Sequence, residues 1–468
     1  MSLPRFPDPL LPPDGKVPGG RRERGAAPSF SRSPRVLILS ASVGAGHLRA
    51  AQALEAAFAA SDFPGEARHL DVLGFTNPAF RTLYSQGYIE LVNKAPDLLG
   101  WLYDRLDVPW KSHRLQQAFE KINLSPFVRL LTDLRPDFAL CTHFLPAGII
   151  AWLRRKGRLA LPQALVVTDF DVHALWLLRD VEHYFVARKE ARAYLEGAGV
   201  PGERISVTGI PVDPIFATPR NRASARRLHG LQDELPTILL SVGGFGLDGA
   251  TKILECLLAV RFPLQVVAVA GARAEVQRRL QRTAAAAPPR HRIHVLGFTT
   301  AMDELMAAAD LLVGKAGGLT SSEALARELP LLIVNPIPGQ EERNSDHLLE
   351  VGAALRCNTL STLSWKVEDL LADRDRLTRL RERARAAARP RACFDIVDRM
   401  TSLLRTTPPE GLPPLPAPDA APGVPLGPGP YTSDSSDGPQ ASQRKQGVSR
   451  YPVILGGSPG KGSAPWVH

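Results

Sequence analysis

The chain has 468 residues, 44% hydrophobic and 22% charged, a balance that fits two or three folded soluble domains at roughly 150 residues each and excludes a fibrous or wholly disordered protein. Its net charge of +10 favours anionic partners such as lipid surfaces or phosphorylated substrates, yet it has no compact Lys/Arg run interleaved with aromatics, which argues against nucleic acid. Cys141, Cys256, Cys357 and Cys393 lack CxxC spacing, which excludes a disulfide frame or zinc ribbon and reads as buried thiols, and no apolar run approaches the roughly 18 residues of a membrane span.

Residues 1–34 are rich in Pro, Gly and Arg and lack the apolar middle of a secretory leader, so a disordered start and a cytoplasmic protein are expected. An apolar strand over Arg35–Ala41 runs into Ser40-Ala41-Ser42-Val43-Gly44-Ala45-Gly46-His47, and an Ala-rich helix begins near His47. At a helix start the dipole disfavours imidazolium, leaving His47 available as a base; the plainer reading is a histidine that caps the turn. Residues 80–131 mix Tyr84, Tyr88, Trp101, Tyr103 and Trp110 with Lys94, Arg105, Lys111 and Arg114. They read as a helical insertion suited to lipid headgroups, or one packing its aromatics inward.

Strands follow at Phe138–Cys141 and Ala164–Thr168, the second ending at Asp169-Phe170-Asp171. The two carboxylates suit a hard cation carrying a diphosphate, with His143 and His173 as further candidates. They equally suit a helix cap in which Asp169 orients a base. After strands at His183–Val186 and Ile205–Thr208, Gly209 and three prolines (Pro211, Pro214, Pro219) mark a junction. Strand Thr237–Val242 leads into Gly244-Phe245-Gly246-Leu247-Asp248-Gly249, a literal GxGxxG. A dinucleotide site also needs an acid closing the next strand. Strand Gln265–Ala270 instead ends near Arg273, which keeps an NADP-dependent oxidoreductase open as an alternative.

Strands at Ile293–Leu296 and Leu311–Val313 precede Gly314-Lys315-Ala316-Gly317-Gly318-Leu319-Thr320-Ser321-Ser322-Glu323. Glycines at a helix start let a phosphate reach free backbone N–H groups. Glu323, one turn further on, suits the two hydroxyls of a ribose. Strand Leu331–Asn335 runs into Pro336-Ile337-Pro338-Gly339-Gln340-Glu341-Glu342-Arg343-Asn344, where Gln340, Glu341 and Asn344 have the amide and carboxylate groups that read sugar hydroxyls; an ordinary helix cap is the alternative. A helix is expected over 391–405, crossing back to the first domain, and a disordered Pro/Gly/Ser-rich tail over 406–468.

Short Val/Ile/Leu strands alternating with helices are the pattern of parallel sheets buried on both faces. The expected fold is α/β: two doubly wound Rossmann-like domains, 35–208 and 209–390, facing a central cleft, with disordered N- and C-terminal tails.

In order and spacing, Gly44-Ala45-Gly46-His47, Thr168-Asp169-Phe170-Asp171-Val172-His173 with Trp176, Val207-Thr208-Gly209-Ile210-Pro211-Val212, Gly243-Gly244-Phe245-Gly246, Lys315–Glu323 and Ile337-Pro338-Gly339-Gln340-Glu341 resemble the monogalactosyldiacylglycerol synthase and processive diacylglycerol glucosyltransferase group, glycosyltransferase family 28, of GT-B fold. The resemblance spans Arg35 to Val397. It implies inverting transfer of galactose or glucose from a UDP-sugar to a lipid hydroxyl, with diacylglycerol as acceptor, by a protein at the inner face of the cell membrane and its anionic surface. By that resemblance His47 is the base, with Asp169 next in line. Gly44, Gly46, His143 and His173 are on the acceptor side. Gly244, Gly246, Lys315, Gly317, Gly318, Leu319, Thr320 and Ser321 receive UDP, Glu323 holds the ribose, and Gln340, Glu341 and Asn344 read the sugar. UDP then departs against a helix dipole, so no cofactor or catalytic metal is implied. Val43 and Ala45 replace glycines of the plant enzymes' first turn, and Gly317-Gly318-Leu319 replaces a Gly-Pro-Gly type run, which leaves donor and acceptor identity open. A GlcNAc transferase or UDP-sugar epimerase of the same fold, and a sugar-nucleotide sensor without turnover, are the remaining alternatives.

Overall fold

The computed structural model describes residues 32–76, 81, 95–108, 110, 124–243 and 247–415. The expected disordered tails, much of the 80–131 insertion, and Gly244 and Gly246 lie wholly or largely outside these residues.

Two six-stranded parallel sheets form the protein. The first contains β1 (Arg35–Ser40), β2 (Glu66–Asp71), β3 (Phe138–Cys141), β4 (Gln163–Val166), β5 (His183–Val186) and β6 (Ile205–Val207), in the order β2-β1-β3-β4-β5-β6. The second contains β7 (Thr237–Ser241), β8 (Gln265–Val269), β9 (Arg292–Leu296), β10 (Leu311–Gly314), β11 (Leu331–Val334) and β12 (Ala354–Cys357), in the order β12-β11-β10-β7-β8-β9. Every pairing is parallel, as strands covered by helices on both faces require. Val36 to Leu39 and Ile238 to Leu240 are at most 2% exposed.

The sequence pattern misses β2 and β12, both outermost strands. Their sequences, Glu-Ala-Arg-His-Leu-Asp and Ala-Leu-Arg-Cys, keep polar side chains because one edge is uncovered.

In each sheet the strand order reverses once, between β1 and β3 and between β7 and β10. Crevices at the carboxyl ends of strands open at such reversals. The helices that start there are α1 (Ala45–Ala59) after β1, α2 (Phe144–Arg155) after β3, α3 (Gly318–Ala326) after β10 and α4 (Gln340–Glu350) after β11. Helix α1 begins two residues earlier than expected, at Ala45, because Gly44 turns the chain with φ +90, a conformation that suits glycine.

A last helix, α5 (Ala392–Thr406), returns to the first sheet. Its Cys393, Ile396, Val397, Met400 and Leu403 share one core with Val36 and Ile38 of β1 and Leu54 and Phe58 of α1. The chain therefore passes between the two halves twice, through 208–222 and again just before α5. The two passages touch at Gly209, where a methyl group would come within 2.5 Å of Arg389 Cβ. All four cysteines are free thiols, three buried and Cys256 half-buried.

Candidate active site

His47 lies in the first turn of α1. Its Nδ1 is 3.1 Å from the carbonyl of Thr142, just past β3, and 2.7 Å from Thr168 Oγ1, just past β4. A carbonyl can only accept, so Nδ1 bears the proton and Nε2 is the basic nitrogen. Thr142 Oγ1 donates to the carbonyl of His47, 3.0 Å away, which ties the helix start to β3. Burial lowers the His47 pKa below its ordinary value; Asp169 pulls it partly back. The ring is therefore neutral at neutral pH, as a general base must be.

An aromatic wall stands beside it. The His143 ring meets His47 edge-on at 4.6 Å, and Phe144 and Trp176 complete the wall with centroids 5.8 Å apart. His143 Nδ1 accepts from the N–H of Leu145 and caps α2, and burial depresses its pKa far below the usual value. His173 caps a single helical turn in the same way and donates from Nε2 to the carbonyl of Tyr103. Both histidines therefore have capping work, and among the described residues no group of three or more His, Cys, Asp or Glu is arranged to hold a metal.

The facing half contributes two helix starts. Lys315, Ala316 and Gly317 link β10 to α3, and Gly318 packs directly on the carbonyl of Thr168 from the first half. Any side chain at 318 would collide there, which is the physical reason for glycine at that place. Leu319 and Ser321 are buried, and Thr320 is buried less deeply than the glutamate that follows one turn on. The first N–H groups of α3 have no intrahelical acceptor and make this the anion-seeking end. Burial lowers the Lys315 pKa while Glu341 raises it.

Glu323 is 1% exposed. Its Oε1 accepts from Arg49 of α1 at 2.7 Å, across the interface between the halves, while Oε2 is buried without a partner. Burial raises its pKa to about 7, against the pull of Arg49. A carboxylate with one unsatisfied buried oxygen is costly unless a donor arrives.

The start of α4 closes the site from the other side. Gln340 Nε2 donates to both oxygens of Asp169 at 3.0 Å, and Asn344 Nδ2 donates to Oδ1 at 3.0 Å. Asn344 Oδ1 accepts from the N–H of Phe170, so this fully buried amide bridges the halves with both ends used. Asp169 makes its hydrogen bonds to Gln340 and Asn344 and reaches His47 only electrostatically; burial raises its own pKa. Glu341 accepts from the N–H of Ile337 at 2.7 Å, beside Gly317. The two halves thus converge on one place, with His47, Thr168 and Asp169 facing Gly318, Glu323, Gln340 and Asn344. Gly44 lies on the turn leading in, and Gly46 is the second residue of α1.

Sequence reasoning left three participants unassigned: Arg49, Arg343 and Thr168 as a histidine partner. Arg343 sits among Asp107 (2.7 Å), Asp171 (3.4 Å) and Asp104 (3.5 Å), with its guanidinium over the Tyr103 ring. These partners are distant along the chain, so no local spacing marks it.

Two facing parallel sheets with a site at both strand-order reversals are the GT-B fold, and the family matches that follow make the protein a glycosyltransferase. Residues 47–212 match the monogalactosyldiacylglycerol (MGDG) synthase family, and residues 230–387 match glycosyl transferases group 1. A processive diacylglycerol beta-glucosyltransferase of Bacillus mycoides is 28% identical over 368 residues, 78% of this chain and 93% of that protein. A Bacillus cereus protein of the same name has the same identity and coverage. Among solved structures, Acinetobacter baumannii MurG shares the fold at TM-score 0.50 and 19% identity, covering 79% of this chain and 99% of that one. Phytolacca americana UGT2, complexed with UDP-2fluoro-glucose and pterostilbene, does so at 0.53 and 13%, covering 80% and 100%. The resemblance carried by the motifs is borne out: a stretch that matches the MGDG synthase family precedes one that matches glycosyl transferases group 1.

Proposed function

We propose that the protein transfers a hexose, glucose or galactose, from its UDP-sugar to the free hydroxyl of diacylglycerol, with inversion, at the cytoplasmic face of a membrane. The relatives named above act on diacylglycerol, and the observation that carries the reading is His47. This imidazole is kept neutral by burial, has its tautomer set by Thr142, and lies opposite a helix start and a buried carboxylate from the other half.

In the proposed reaction Nε2 of His47 takes the acceptor's hydroxyl proton as the oxygen attacks the anomeric carbon. The bond from that carbon to the diphosphate breaks on the opposite side. UDP departs with the charge, received by the N-terminus of α3 and by Lys315, so the transfer uses no metal or other cofactor. Glu323 Oε2 is suited to the ribose hydroxyls, and Gln340 and Glu341 to the sugar. The aromatic wall of His143, Phe144 and Trp176 offers an apolar side for an acyl chain.

Exposed Leu98 and Trp101, 45% and 44% accessible on the helix Pro96–Leu106 with Arg105 over the Trp101 ring, support contact with a lipid surface. Among the described residues no helix is long and apolar enough to cross a membrane.

The test is incubation with labelled UDP-glucose or UDP-galactose and diacylglycerol in vesicles, followed by mass analysis of the lipid. His47→Ala is expected to lower turnover at least about 100-fold while UDP affinity, read by calorimetry, stays near wild type. Wild-type turnover in that variant would remove His47 as the base. Absence of any lipid product with either donor would remove the acceptor assignment.

A further inference from the structure

A cavity of about 720 Å³ opens on the first half, outside the proposed active site. It lies between the helix Lys189–Gly197, the outermost strand β6 and the first turns of α5, and is lined by Lys189, Arg192, Ser206, Asp395 and Arg399 with the apolar Ile205 and Val207. Three cations face one carboxylate.

Two polar atoms beside the cavity are buried without partners. Arg399 gives one N–H to the carbonyl of Glu203, but its Nε is buried without an acceptor. His183 is 1% exposed and its Nδ1 is also buried without a partner. A bare Nδ1 puts the ring proton on Nε2, 2.8 Å from Ser206 Oγ. Ser206 then accepts from His183 and keeps its own O–H to give. Lys189 adds the ammonium of an exposed side chain, and Arg192 is paired with Glu196 on the exposed side of its helix.

A concave site with ammonium, guanidinium and hydroxyl donors and a short supply of acceptors is built for an oxyanion with several oxygens. We infer that this cavity binds a phosphate group, held by Lys189, Ser206 and Arg399. A soluble phosphate ester and an anionic lipid headgroup present the same oxygens, and the experiment below separates these two sources. The position of the cavity gives the site a consequence. Thr208 lines it, and the next residue, Gly209, is where the two passages between the halves touch. A ligand joining β6 to α5 therefore sits beside the two passages between the halves.

The test uses the full chain saturated with UDP, so that the active site cannot report. Calorimetry with glycerol phosphate, and co-sedimentation with phosphatidylcholine vesicles with and without phosphatidylserine, are run on wild type, Lys189→Ala and Arg399→Gln. Binding in either arm that weakens by roughly tenfold or more in both variants supports the site, and the arm that binds identifies the source. Equal binding in wild type and both variants, or no binding in either arm, overturns it. Lys189→Ala, which truncates an exposed side chain, guards against misfolding: it is expected to weaken binding with the thermal midpoint unchanged, and unaltered affinity counts against the site.

Discussion

Glu323 is the residue where stability and the proposed ribose contact pull in opposite directions. Burial holds its carboxyl at about 7 in the folded protein against 4.5 ordinarily. Between those values the folded state binds the proton more tightly than the unfolded chain. Stability therefore falls as pH rises through that window, and the full penalty is present above it. The penalty is at most about 3.5 kcal/mol, since a tenfold change in proton affinity corresponds to about 1.4 kcal/mol. Glu323→Gln abolishes this dependence. The difference in thermal midpoint between variant and wild type should move in the variant's favour as pH is raised from about 4.5 to about 7, then level off. A difference constant with pH would show that the carboxyl titrates normally. The same variant should weaken UDP binding, because an amide accepts fewer hydroxyls than a carboxylate. His47 behaves oppositely: its pKa is lowered, so the acid limb of kcat/KM should fall below the ordinary imidazole value of 6.5.

At the scale of elements, the contact between α4 and the Pro96–Leu106 helix rests on Arg343. One guanidinium serves Asp104, Asp107 and Asp171, and Asp107 also accepts from the N–H of Ala174 at 2.7 Å. Beside it, a methyl group on Gly339 would come within 2.7 Å of the Tyr103 ring, so the turn and the helix are closely apposed. Arg343→Met leaves Asp104 and Asp107 without their cation and Asp171 with only the more distant Arg188, 3.7 Å away. A loss of about 2–4 kcal/mol is expected in denaturant unfolding, below the largest values for buried pairs because Asp104 and Asp171 are partly solvated. An unchanged midpoint would mean that solvent already screens the cluster. Arg343 was invisible as a partner because even the nearest of its carboxylates along the chain, Asp171, is 172 residues away. The turn chemistry of Gly317 and Gly318 is local and could be read directly.

For the whole molecule the decisive feature is the double passage between halves. Gly209 has φ +95 and packs against Arg389 and Ala392. Gly209→Ala puts a side chain into a conformation that L-residues avoid and into contact with the second passage, costing roughly 2 kcal/mol or more. Because the passages join the two halves that carry the proposed site, the variant is also expected to lose turnover. The check is a thermal midpoint together with single-turnover kinetics; an Ala variant with wild-type values in both would show that the passages separate freely.

The amino-acid sequence alone determined the α/β class, the apolar strands of both sheets except the outermost β2 and β12, the glycine turns after β1 and β10, and His47 and Glu323 as candidate groups. These follow from short-range physics: burial on both faces selects apolar strands, and a turn needing positive φ or close approach selects glycine. Only the tertiary structure decided that Asp169 is committed to Gln340 and Asn344 and that Arg49 reaches Glu323. Those choices depend on which surfaces meet when two sheets fold against each other, and no residue carries that information in its own neighbourhood.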